Sequence, residues 1–144
     1  MKLDYTSFGA RSVCFLACFM IAGYVHASSD CSTAESHADQ RSCLERAASA
    51  TRAKLETTQA LLITRIEAWD ESAGDRQRAV KLLKQSVARF AQFRDTECEY
   101  EAAAAAGGNG AGDMRLQCQI DLNRQYAESL RKQFVWYPSL TEMR

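Results

Sequence analysis

The chain has 144 residues, with 18 lysines and arginines balanced by 18 aspartates and glutamates, and it carries six cysteines, seven glycines and one proline. A formal net charge of zero removes the electrostatic reason to expect a nucleic acid or an anionic membrane as partner, since both recruit an excess of basic side chains. Sparse glycine and proline, with abundant Ala, Leu, Arg, Gln and Glu and no alternating β-branched run, argue against strands and for an all-α protein.

At the N-terminus, Lys2 and Arg11 precede the apolar run 13–25, and Val25-His26-Ala27 offers residues that a signal peptidase tolerates before its cut. The run falls short of the roughly 20 apolar residues of a spanning helix and contains Gly23, so residues 1–27 are expected to be a cleaved leader and not an anchor. A lipobox at Phe15-Leu16-Ala17-Cys18 is set aside, because Phe stands where Leu is expected and little apolar sequence precedes it. Residues 28–144 are then one exported domain, periplasmic or secreted, with no stable membrane anchor and enough length for one modest core. Cys14 and Cys18 leave with the leader. Cys31, Cys43, Cys98 and Cys118 remain, an even set in an oxidising compartment, and disulfides are the expected use. Their spacing contains no close CxxC knuckle and His37 is the one histidine left, so neither a metal site nor any cofactor is expected.

Ser32-Thr33-Ala34-Glu35 has the form of a capping box, which predicts a short helical start there. A long helix should follow to about Ser72, with Leu55, Leu62, Ile66 and Trp69 near one face. Gly74-Asp75 reads as a stop and an N-cap, so a second helix returns after a tight turn. Val80, Leu83, Val87, Phe90 and Arg94 form its stripe, expected to face the first helix. The stretch 107–112, rich in glycine, must break this helix. Asp113 is expected to cap a third helix with the stripe Cys118, Leu122, Tyr126, Leu130 and Phe134, ending before Pro138. The prediction is a three-helix antiparallel bundle.

Counting outward from the two turns places all four cysteines at one end. Of the three connectivities, Cys31–Cys43 with Cys98–Cys118 is favoured. Cys31 and Cys43 cannot share a straight helix, because twelve residues of helix span about 18 Å, so a bend between them is required.

The string 90–98, Phe-Ala-Gln-Phe-Arg-Asp-Thr-Glu-Cys, is followed by Gly107-Gly108, Cys118 and the segment Leu122-Asn123-Arg124-Gln125-Tyr126-Ala127-Glu128-Ser129-Leu130. With the upstream pair Cys31 and Cys43, this pattern resembles the LprI-like lysozyme-inhibitor domain family over most of residues 31–131. Phe90 stands where the family usually has Trp, and Leu55-Glu56-Thr57-Thr58-Gln59 replaces its Leu-Asn-x-x-Tyr motif. The resemblance implies a small secreted helical domain whose motif residues here are Phe90, Phe93, Arg94, Leu122, Arg124, Tyr126 and Leu130. It also implies a protein partner, a lysozyme.

Arg94 lies inside an apolar stripe, and a buried guanidinium needs a partner, for which Asp121 and Glu128 are the candidates; a structural ion pair is the favoured reading. Asp95, Glu97, Glu99 and Glu101, beside Gly107, Gly108 and Asn109, are the candidate partner-binding residues, since an acidic surface can steer a cationic lysozyme. The plainer reading is a solvated helix face beside an ordinary connector. Phe134, Trp136 and Tyr137 are expected to fold back over Trp69 and Ile66. His37 is expected to be an exposed helix residue. No nucleophile, metal or phosphate motif marks an enzyme. The expectation is a non-catalytic exported binding protein that inhibits a lysozyme; the alternative is a cell-envelope interaction or toxin-immunity module.

Overall fold

The computed structural model describes residues 31–137. The predicted leader, its cleavage point after Ala27, and Pro138 lie outside the described residues. Three α-helices and two 3-10 turns make up the described fold, with no strand.

The first long helix, α1 (His37–Glu67), is capped by Ser36 and not by the box at Ser32. Ser36 Oγ accepts from the Asp39 amide at 3.2 Å and donates to Asp39 Oδ2 at 2.6 Å. Cys31–Thr33 forms a separate 3-10 turn. The Cys31–Cys43 bridge, with Cα atoms 5.7 Å apart, supplies the reason: the chain must bend between these residues, so a helix begun at Ser32 cannot run on through Cys43.

α1 ends at Glu67, a turn before the predicted limit at Ser72. The carbonyls of Trp69 and Glu71 accept from the Arg76 guanidinium, which holds the connecting bend. α2 (Ala73–Ala104) repeats the start of α1, with Ser72 as N-cap accepting from the Asp75 amide at 3.2 Å. Asp75 is thus the third helical residue and Gly74 the second, correcting the reading of Gly74-Asp75 as a stop and a cap.

α3 (Asn109–Lys132) starts four residues before the predicted cap at Asp113. The reversal is completed by Ala106, Gly107 and Gly108, with φ of 56°, 88° and 78°. Gly110 and Gly112 therefore lie within the helix and are not needed for the break. Gly112 has a different use, because a Cβ there would overlap the Arg41 guanidinium of α1.

The helices run up, down and up, which leaves α1 and α3 parallel. α3 packs along both neighbours, while α1 and α2 touch each other much less. The upper half of the α2 stripe accordingly faces α3, not α1 as predicted. Phe90 stacks on Tyr126 with ring centroids 4.0 Å apart, and Ser86 Oγ and Tyr126 Oη share a 2.8 Å hydrogen bond.

Two apolar clusters fill the interior. One holds Leu55, Leu62, Ile66, Leu83, Ala127 and Leu130; the other, at the cysteine end, holds Cys31, Leu44, Ala47, Ala48 and Ile120. Between them in register lie the three buried polar residues among those described, one from each helix: Thr51, Arg94 and Asn123. Thr51 satisfies its hydroxyl locally, donating to the Ala48 carbonyl at 3.0 Å.

α3 is shorter than the hairpin, and the segment after it closes the open end as expected. Tyr137 meets Trp69 edge-on at 5.0 Å, and the Arg65 guanidinium lies 4.5 Å from the Phe134 ring centroid and donates to the Tyr137 carbonyl at 3.3 Å. Trp136 takes no part in this closure and is 73% exposed.

Candidate partner-binding site

The cysteine end of the bundle is a braced tip. Cys98 Sγ and Cys118 Sγ join α2 to α3 with Cα atoms 5.5 Å apart, just below the turn at Ala105–Gly108, and Cys31–Cys43 ties the N-terminal turn to α1. Both pairings are those the register favoured. On the parallel pair α1 and α3, Asp113 Oδ2 is hydrogen-bonded to His37 Nε2 at 2.8 Å, and Asp113 Oδ1 lies 3.2 Å from Arg41 Nε as an ion pair. His37 is exposed, as expected, but it is tied to α3, a contact that follows from a parallel register and not from its own surroundings in the chain.

Arg94 is buried, and neither Asp121 nor Glu128 is its partner. Its Nε and one terminal nitrogen donate to Asp95 Oδ1 at 2.9 and 2.7 Å, and the other terminal nitrogen donates to Asn123 Oδ1 at 3.0 Å. Asp121 instead accepts from Gln117 at 3.0 Å and lies 3.9 Å from Arg124. Glu128 is held by Arg131 at 2.7 Å, and that hydrogen bond lowers its carboxyl below the ordinary carboxylate value. Asn123, almost fully buried, is the functional partner that sequence reasoning missed.

The four acids do not form one cluster. Residues two apart on a helix point to nearly opposite sides, so Asp95 and Glu99 fall on one flank of α2 and Glu97 and Glu101 on the other. Asp95 is occupied by Arg94. Glu99 is held by Arg115 through contacts of 2.6 and 2.7 Å, and the same hydrogen bond pushes the Arg115 guanidinium further above its ordinary value. Glu97 and Glu101, both half-buried, make no ion pair or hydrogen bond with any other described residue.

Other predicted residues separate as well. Phe90, Arg94, Tyr126 and Leu130 belong to the packing between helices, while Leu122 and Arg124 are half-buried on α3, where Arg124 lies 3.9 Å from Asp121. Phe93, grouped with them in the motif, points outward and is 53% exposed. Gly107 and Gly108 carry the turn, and Asn109 opens α3.

Among the described residues no group of His, Cys, Asp or Glu is arranged to hold a metal ion, and no helix is long and apolar enough to cross a membrane. One concavity among the described residues is lined by Glu67 and a single face of α2 from Ala73 to Ala88, so it is an open trough and not a chamber for a small substrate.

The class defined by these features is a small disulfide-braced helical domain. Its sequence matches the family model described as lysozyme inhibitor LprI over residues 28–130. The chain belongs to the LprI lysozyme-inhibitor family. It is also 26% identical over 121 residues to an uncharacterized protein of Rhizobium meliloti (strain 1021), covering 81% of this chain and 87% of the relative. No solved structure matches it.

Proposed function

We propose that the protein is exported, cut after Ala27, and acts outside the cytoplasm as a non-catalytic inhibitor that holds a lysozyme by protein–protein contact. The family match over residues 28–130 carries this reading. Its first residue directly follows the predicted cleavage point, which supports the leader. The two disulfides support an oxidising compartment, where such bonds persist. The braced tip supports binding: Asp113 and Glu99 are used to tie helices together, through Arg41 and Arg115, while Glu97 and Glu101 have no partner among the described residues.

A muramidase assay on oxidised protein comprising residues 28–144 tests the proposal. Cell-wall lysis should fall as the protein is titrated against a lysozyme and level off at a fixed molar ratio. Full lysis at a large molar excess, across lysozymes of different classes, removes the inhibitor reading. Recovery of a different envelope protein on the immobilised domain would then favour an interaction or immunity module.

A further inference from the structure

We propose that the outward face of α2 beside the tip, formed by Phe93, Glu97, Tyr100, Glu101 and Ala104, is the surface that grips a cationic protein, the lysozyme of the preceding section. The assignment rests on the inhibitor reading and names its contact surface. Steps of four, three, one and three residues keep these side chains on one side of a helix.

Phe93 is 53% exposed and Tyr100 is 68% exposed. A single exposed aromatic residue requires no explanation, but two on one face, about 10 Å apart along the axis, offer adjacent anchors of the kind that dominate protein interfaces. Glu97 lies between them, Glu101 lies beside Tyr100, and neither has a partner among the described residues.

The charge pattern selects the occupant. From Asp95 to Met114 the chain has five acids and no lysine or arginine. Asp95, Glu99 and Asp113 are met by Arg94, Arg115 and Arg41, which leaves Glu97 and Glu101 as the negative charge available to a visitor. A basic surface would supply their missing partners while its apolar parts cover the rings. Other exposed features fit less well. The trough on the lower part of α2 presents Arg76, Lys81 and Lys84, the wrong sign for a cationic partner. Trp136 and Val135 lie at the opposite end, close to Arg131 and Lys132.

The test uses the oxidised mature protein with Phe93→Ala/Tyr100→Ala, Glu97→Gln/Glu101→Gln and, as control, Trp136→Ala. Circular dichroism and thermal unfolding establish that each variant is folded. Loss of both rings should raise the inhibition constant at least about thirtyfold, the lower limit for an interface hot spot. The acid pair should slow association several-fold at low salt and flatten its salt dependence. Trp136→Ala should inhibit like the parent. If the parent inhibits and the ring and acid variants match it, this surface is wrong and the inhibitor reading stands. If the parent does not inhibit, both fall. Light scattering that shows a dimer abolished by the ring variant, with inhibition intact, assigns the face to a second copy and overturns the proposal.

Discussion

Ala106, Gly107 and Gly108 show how a turn is specified by backbone conformation and not by composition. All three adopt positive φ, where an L side chain crowds the carbonyl, yet only two are glycine. No atom lies within 4 Å of a Cβ built at Gly107 or Gly108, so the cost of a side chain there is conformational alone. Gly107→Ala or Gly108→Ala should each lower stability by about 1–2 kcal/mol, and Ala106→Gly should raise it by up to about 1 kcal/mol, as read by urea unfolding. The glycine-rich stretch was legible as a break, but its four glycines look alike in sequence. Which two carry the reversal is set by where α2 ends, at Ala104, and where α3 begins, at Asn109. The burial of Asn123 and the exposure of Phe93 were not legible for a related reason. A polar residue on an amphipathic helix is normally taken as surface, and an aromatic residue next to a buried Arg is easily taken as core. Yet neighbours on a helix diverge by about 100°.

At the scale of the helices, the level of Thr51, Arg94 and Asn123 divides the interior into two apolar clusters. A guanidinium that donates to α3 from α2 fixes the height of one helix against the other, because a slip by one turn would leave one of its buried nitrogens without an acceptor. Asn123→Leu should therefore cost about 2–3 kcal/mol. The double change Arg94→Leu/Asn123→Leu should cost less than the sum of the two single changes, since it removes the charge together with its acceptor; chemical denaturation of the four proteins measures the coupling. The existence of three helices was legible from composition and periodicity. Their starts were less so, although Ser36-x-x-Asp39 and Ser72-x-x-Asp75 carry the same cap signal. The stripe predicted for α3 advanced by fours at every step and so drifted around the helix. The helix buries Cys118 and Leu130 of that stripe, together with Ile120, Asn123 and Ala127, because it is wedged between two neighbours.

For the whole molecule, the two ends are secured by different means. The tip has both disulfides, and the far end has the Trp69–Tyr137 contact with Arg65 across Phe134. Chain-entropy arguments assign each bridge about 3 kcal/mol, a large share of the roughly 5–15 kcal/mol that holds a domain together. Replacing Cys98 and Cys118 by Ser should lower stability by about that amount and speed amide exchange first around the 105–108 turn, while the far end keeps its protection. Each cysteine is joined to the next one along the chain. A polypeptide threaded N-terminus first into an oxidising space, and oxidised as each thiol arrives, would close its native bridges in order. Reshuffling by an isomerase would be unnecessary.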